Sequence, residues 1–569
     1  MQPSLEVAVE ESAEPVPGPS RPTLGSLRVP YAWPLISALA VIAVGWLVYG
    51  ARRFTFYFDE WDWVDRSAHW TLNDYFVPHV VHWSTVPMLV YKALFETVGM
   101  HSYIPYLAAM ALMHAAGALV LFALLRRSAG DALAFAGTVI FLFLGTGAED
   151  LDWAFQVGFD GSVTFGLLGV YLLTADEAGR WRQVGGLVAL LLGLGCSGIG
   201  LFYCVWAGVD NLLVRNRRRR LWVVGTALVV FAVWYLHYGR AAVAQGSDKP
   251  YSLSTLRLEI SYIPLGIGNV VAGLLGRSSD YAGLVLPIAV GLLAVLLYKY
   301  RPVGSLVWAA LVALVVDYAV TASGRVQDGV GEALQTRYVG VAAPFVLLIT
   351  VEALRRVPVA RHWGVPVFAV VVALSLIGNL TALRDAQHEL VPGFVAQDKQ
   401  FEALWLFRNA PGLDPNAIPT PDEAPTLTAE DYITSREEYG TSLPTVTLAQ
   451  LADDNPSSIN TVLRNVMPIK TTVVKAGPAA ATHCAAIGPA GGSVDLSVPG
   501  GDAVYFIPTG TEQVTVQYWY EGSGSGYGGT PLTAAWGTAL KVTLPDTGLG
   551  LSWHVALTSA DAAQVCHVW

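Results

Sequence analysis

The sequence predicts a polytopic α-helical membrane protein: about eleven transmembrane helices, then an extracytoplasmic α/β region ending in a β-sandwich. Three observations predict it. Of 569 residues, 53% are hydrophobic and 14% charged, with a mean hydropathy of +0.47, more apolar sequence than a soluble chain of this length needs for its core. Apolar runs near the roughly 20 residues that cross a hydrocarbon core recur up to residue 382. Beyond residue 384 they give way to Pro-rich loops, then to alternating strands and Gly turns.

Residues 1–28 are polar and Pro/Glu-rich, with no cleavable signal peptide, and read as a disordered cytoplasmic tail. The transmembrane domain spans 29–384, with candidate helices near 30–50, 103–125, 131–148, 158–175, 183–196, 198–214, 221–238, 280–298, 305–322, 338–354 and 364–382. The fifth and sixth are short and joined by GLGCSGIG, which suits a tightly packed hairpin that does not span fully. Residues 255–276 are apolar but interrupted and read as a re-entrant or interfacial helix. Residues 385–470 form a mixed extracytoplasmic linker region, and 471–569 a β-sandwich in which Val514, Val516, Tyr518 and Tyr520 alternate with Thr515, Gln517 and Trp519. Cys484 and Cys566 bracket that domain and could pair on an oxidising face, whereas Cys196 and Cys204 read as buried small hydrophobes.

Charge sets the orientation. Arg126/Arg127, Arg180/Arg182, Arg215 with arginines 217–220, Lys299/Arg301 and Arg355/Arg356/Arg361 fall on one side when the spans alternate. That side is cytoplasmic by the positive-inside rule, so the N-terminus is inside and everything after residue 382 outside; Arg52 and Arg53 run against the rule. The net charge of −10 collects in the tail and long loops, and nothing resembles a nucleic-acid face.

Chemistry concentrates in two outer loops, 51–102 and 149–157. The first carries Asp59, Glu60 and Asp62 within four residues, in FYFDEWDWVDR directly after the first helix. On a helix Asp59 and Asp62 share a face, and crowding and lost hydration raise a carboxylate's proton affinity toward that of a general base. The second carries Glu149, Asp150 and Asp152 beside Trp153. Together the loops could bind one substrate or offer oxygen ligands to a divalent cation (Mg, Mn or Ca), with His79 and His82 as further acceptor- or metal-orienting candidates. A surface histidine with no ligand role is the first reading of each, ahead of the ligand one. Arg325 and Arg337, the latter beside Tyr338, are candidates for an anionic partner such as a lipid phosphate; Lys92 and Arg277 are weaker ones, and snorkelling to lipid head groups is the plain alternative. Asp317 reads as the only carboxylate well inside a span. There is no GxxxxGK[ST], Cys-x-x-Cys or HExxH.

This layout resembles the GT-C superfamily of integral-membrane glycosyltransferases, which use polyprenyl-phosphate sugars. The likeness rests on Asp59-Glu60 just after the first helix, on Glu149 or Asp150 in the second outer loop, on Arg337-Tyr338 at a late helix start, and on a β-rich domain after the last helix. The style resembles actinobacterial members. The resemblance implies inverting transfer of a sugar from a lipid-linked donor to a glycan or glycolipid acceptor at the outer face of the plasma membrane. Asp59 would be the base and Glu60 would orient acceptor or base. Arg337, with Arg325, would take the phosphate charge. Trp61, Trp63 and Trp83 would stack on sugar or prenyl chain, or form an interfacial belt, and Trp519, Tyr527 and Trp569 would suit a glycan-binding face. A lipid or glycan transporter or flippase, or a non-catalytic glycan-binding scaffold, are the alternative functions.

Overall fold

A computed structural model describes residues 22–67, 69–245, 253–359, 363–454, 456–475, 483–510, 512–520 and 530–568. Most of the expected tail, Arg361, Tyr527 and Trp569 lie outside the described residues.

The helices run in the order α1 (Ala32–Gly50), α2 (Asp59–Ser67), α3 (Thr85–Thr97), α4 (Ile104–Ala129), α5 (Asp131–Leu142), α6 (Ala148–Asp152), α7 (Val157–Leu173), α8 (Arg180–Cys196), α9 (Gly200–Leu213), α10 (Leu221–Trp234), α11 (Arg240–Gln245), α12 (Leu253–Leu274), α13 (Ala282–Lys299), α14 (Ser305–Arg325), α15 (Arg337–Leu354), α16 (Gly364–Leu406), α17 (Ala429–Tyr439), α18 (Leu448–Asp454) and α19 (Pro456–Val466). Among the described residues, nine helical stretches are long and apolar enough to cross a membrane. The remaining two of the eleven expected, α8 and α9, have 17 and 14 residues, as the Gly-rich hairpin between them implied.

Two segments differ in continuity from what their sequence suggests. The interrupted segment at 255–276 lies in one continuous helix, α12, packed against α13, α14 and α15, with Tyr262, Val270 and Ala272 fully buried, and it is not among the nine stretches. Its glycines are packing sites rather than breaks, since a Cβ on Gly266 would enter the ring of Tyr318. The last apolar helix does not stop near 382. α16 continues for 43 residues, about 65 Å at 1.5 Å per residue, so its second half leaves the apolar layer as part of the extramembrane region.

The two ends of the bundle differ in charge. At one end arginines tie neighbouring helix termini together. Arg127 donates to the Tyr171 carbonyl at 2.9 Å, Arg220 to the Leu173 carbonyl at 2.8 Å, Arg355 to the Ser128 carbonyl at 3.0 Å and Arg356 to the Tyr300 carbonyl at 2.6 Å. The acidic connections and the C-terminal region occupy the other end. There α16 packs on α18 and α19 and α17 packs on α2. Beyond them stand β1 (Lys470–Val474), β2 (His483–Ile487), β3 (Gly492–Pro499), β4 (Ala503–Pro508), β5 (Glu512–Tyr520), β6 (Thr530–Ala534), β7 (Ala539–Thr543), β8 (Ser552–Ser559) and β9 (Ala563–Val568). They form antiparallel sheets of order β1-β7-β4-β9-β2 and β3-β8-β5-β6. Val514, Val516 and Tyr518 from one sheet share a core with Val504, Phe506 and Val565 from the other. Cys484 and Cys566 face each other in the β2–β9 register and are disulfide-bonded.

Candidate active site at the acidic end of the bundle

α2 is amphipathic, and its two faces have different work. Glu60, Trp63, Val64 and Ser67 form a stripe at helical spacing and are buried. Glu60 is fully enclosed, and its carboxylate accepts from the Tyr57 backbone N–H at 2.9 Å, the Trp153 indole at 3.1 Å and the Tyr103 hydroxyl at 2.9 Å, with the Tyr91 hydroxyl against its second oxygen. Burial pushes its pKa up to about 8, opposed by the hydrogen bonds from Tyr91, Tyr57, Tyr103 and Trp153. Glu60 therefore ties the α1–α3 connection to the α6–α7 connection from a fully buried position.

The opposite face of α2 is open. The side chains of Asp59 and Asp62 keep 31% and 27% of their exposure and flank one histidine. His79 Nδ1 lies 3.2 Å from Asp62, and Nε2 lies 3.7 Å from Asp59, within ion-pair range. Asp62 also takes Arg66 at 3.0 Å. The His79 ring is wedged edge-on between Trp63 at 5.5 Å and Phe155 at 5.2 Å. Burial alone would lower the pKa of His79, but Asp59 and Asp62 together raise it to about 8. That of Asp62 is lowered: burial raises it, and His79 and Arg66 outweigh the burial.

A tight turn carries the chain from His79 to His82, the two residues exchanging backbone hydrogen bonds of 3.1 and 2.9 Å. Val80 at its corner has φ +53°, a left-handed conformation that a β-branched residue adopts only under strain, as expected of a functional constraint. The turn sends the imidazoles to different neighbours. His82 Nδ1 lies 3.2 Å from the Ser197 hydroxyl in the α8–α9 hairpin, and its ring meets Phe159 edge-on. Burial, then the positive fields of Arg325, His79 and Arg337, hold its pKa down at about 4. His82 thus lies within the electrostatic reach of Asp59 and of both arginines.

Those arginines come from the end of α14 and the start of α15. Arg337 donates to Glu149 at 3.2 Å, and Glu149 lies 3.4 Å from the Thr336 hydroxyl. Glu332 lies 4.0 Å from the same guanidinium, and the Tyr338 ring lies 5.6 Å from it. Among the described residues Arg325 has no hydrogen-bond or ion-pair partner.

Other candidates fall elsewhere. Lys92 is held by Glu96 at 2.6 Å and the Ser67 carbonyl at 3.0 Å and does not join the cluster. Asp150 and Asp152 are buried, Asp152 accepting from Gln387 at 2.7 Å, and of the second acidic group Glu149 is the one hydrogen-bonded to Arg337. Trp61 and Trp63 are packed in the interior, and Trp83 stacks on Trp234 at 5.3 Å. None of the three has a free face for a sugar. Asp317 is not alone within the spans: Asp160 in α7 is also buried and lies 3.2 Å from His114 of α4. Among the described residues no three His, Cys, Asp or Glu side chains are grouped as a site for a divalent cation would need. Tyr91, Tyr103, Phe155, Ser197 and Glu332 were not singled out in the sequence, because single polar or aromatic residues on separate elements carry no spacing signal.

No family model matches the chain, and no curated protein does. Among solved structures the chain is similar to ArnT from Cupriavidus metallidurans, crystallised bound to undecaprenyl phosphate. The two share 14% identity with a TM-score of 0.47, over 78% of this chain and 92% of that one. A likeness of that degree is no ground for a chemistry, which rests on the side chains themselves.

Proposed function

We propose that the protein is a membrane glycosyltransferase that moves a sugar from a polyprenyl-phosphate donor to a cell-envelope glycan or lipid acceptor, with inversion. One observation carries the reading. A partly exposed carboxylate, Asp59, and two guanidiniums, Arg325 and Arg337, all lie within the electrostatic reach of His82 at the acidic end of the bundle, and among the described residues Arg325 has no partner. By the positive-inside rule the arginine end is cytoplasmic and the site faces outward. No nucleotide pool exists there, and a lipid phosphate is the leaving group to be expected.

In this reading Asp59 accepts the proton of an acceptor hydroxyl as its oxygen attacks the anomeric carbon. The carbon–oxygen bond to phosphate breaks on the opposite face, and the electron pair stays on the departing phosphate. Arg325 and Arg337 neutralise the charge that develops there. Glu149 and Glu332 hold the Arg337 guanidinium in place. His79 lies beside Asp59, its Nε2 3.7 Å from the carboxylate. Every step uses groups of this chain and the two substrates.

The test compares Asp59→Asn with wild type, at equal membrane levels, in a strain lacking the protein, with envelope glycans read by mass spectrometry. Loss of one defined sugar in the variant supports the reading; full restoration of the glycan sinks it. The buried His114–Asp160 pair and Asp150 are what a transporter would use, and a transporter would tolerate Asp59→Asn.

A further inference from the structure

The segment between α16 and α17 touches α2 where the chemistry is proposed. Phe58, the residue before Asp59, has φ +49°, a left-handed conformation unfavourable for a residue with a side chain. Its side chain explains nothing, being 39% exposed. What holds it is its backbone N–H, which donates to the carbonyl of Glu423 at 2.8 Å. Glu423 is itself fixed in a turn whose Ala424 N–H donates to the Thr420 carbonyl at 2.8 Å, and Thr420 and Ala424 are fully buried.

Two further contacts bracket this one. Ahead of α2, Gln397 of α16 donates to the Phe56 carbonyl at 2.8 Å; at its end, the hydroxyls of Ser67 and Tyr439 lie 2.8 Å apart. Between them Trp61 meets Phe401 edge-on at 4.9 Å, and Phe401 stacks on Tyr432 at 4.1 Å. The C-terminal region thus grips α2 at both ends and in the middle, and the one strained residue among these contacts precedes the exposed carboxylate.

We propose that Phe58 is a positioning residue, pinned in its left-handed conformation by the 420–427 turn, and that through it the extramembrane C-terminal region sets the direction of the Asp59 carboxylate. This rests on the reading of Asp59 as the base. The backbone at residue 58 fixes where the first residue of α2 points, and strain of this kind persists only where surrounding structure imposes it. The C-terminal region is then part of the catalytic frame rather than an appended module.

The experiment uses the full-length protein in detergent with a lipid-linked donor that the wild type turns over. Four variants are compared: Asp59→Asn, Phe58→Gly, Phe58→Asn and Ala424→Pro. Glycine frees residue 58 without straining it, so kcat should fall at least fivefold while donor KM stays within twofold and the thermal midpoint does not drop. Asparagine, which tolerates the left-handed region, should keep near wild-type kcat. Ala424→Pro removes the N–H that holds the turn, and its loss of kcat should not add to that of Phe58→Gly. If Phe58→Gly keeps full kcat, or the two losses multiply, the positioning role is wrong while the glycosyltransferase reading stands. If Asp59→Asn is fully active, the base assignment fails and takes this proposal with it.

Discussion

Glu60 offers the sharpest test of how the two acidic connections are held. Three of the donors around it are obligatory: the Tyr57 N–H, the Trp153 indole N–H, and the Tyr103 hydroxyl, which already accepts from the Ala154 N–H at 3.1 Å. All three reach one carboxylate oxygen; the other lies 3.0 Å from the same Tyr103 hydroxyl and faces the Tyr91 hydroxyl, which can accept as well as donate. A proton on Glu60 therefore belongs on the oxygen facing Tyr91, and the neutral acid satisfies every neighbour. Glutamine has the same shape and hydrogen-bond pattern as that acid. Glu60→Gln should cost less than about 1 kcal/mol, whereas Glu60→Ala strands three buried donors at about 1–3 kcal/mol each and should cost at least about 3 kcal/mol. The pH dependence separates them further. With a folded pKa of about 8 against 4.5 for the free side chain, the folded state keeps a proton that the unfolded state has lost across that window. Stability should then fall as pH rises from about 5 to 8, by up to about 1.4 kcal/mol per pH unit, and level off above 8. Thermal midpoints in detergent at pH 5, 6.5, 8 and 9 would show a slope in wild type and none from this site in Glu60→Gln. A Glu60→Gln variant as unstable as Glu60→Ala would refute the neutral-acid assignment and mean that Glu60 is held as a carboxylate.

Two other predictions follow from the same site. His79, raised to about 8 between Asp59 and Asp62, contributes stability that is fully present below its unfolded value near 6.5 and is lost as pH rises through about 8. His79→Asn should therefore lower the thermal midpoint at pH 6, by an amount equivalent to about 2 kcal/mol, and hardly at all at pH 9. An equal deficit at both pH values would show that the ring's packing against Trp63 and Phe155, not its charge, is what counts. Arg325→Gln removes a guanidinium with no partner among the described residues, so the thermal midpoint should hold while donor KM rises about tenfold to a hundredfold, the worth of one charge-assisted contact; an unchanged KM would remove Arg325 from the phosphate site.

How much of this was legible depended on whether a signal lay in consecutive residues. α1, α4 and α13 declare themselves because lipid demands an unbroken apolar run, and residue type alone reports it. α12 does not, because Pro264 and its glycines read as interruptions when considered one at a time and as a packing surface only once Tyr318 is placed against Gly266. The far half of α16 was illegible for the opposite reason. Its buried aromatic positions meet protein rather than lipid, Phe394 against Phe54 and Phe401 against Trp61 and Tyr432, so its composition falls to that of a linker while its helix continues.

The same distinction runs through α2 and decides which acid can do chemistry. Three carboxylates in four residues look alike in composition, yet a helix turns about 100° per residue and separates them. Asp59 and Asp62, three apart, fall together and meet one histidine. Glu60 falls in register with Trp63, Val64 and Ser67, an i, i+3, i+4, i+7 series that marks a buried stripe even when one of its members is charged. That periodicity was present in the sequence, and it assigns Glu60 to the interior; only the identity of the groups that neutralise it, drawn from α3, the start of α4 and the second acidic connection, required the fold. A buried carboxyl group with three obligatory donors fixes the distance between two loops more tightly than an exposed ion pair would, because no water competes for its bonds. The open face of α2 can then keep its carboxylates half-exposed, as a base that must meet a substrate requires, while the helix that bears them stays rigid.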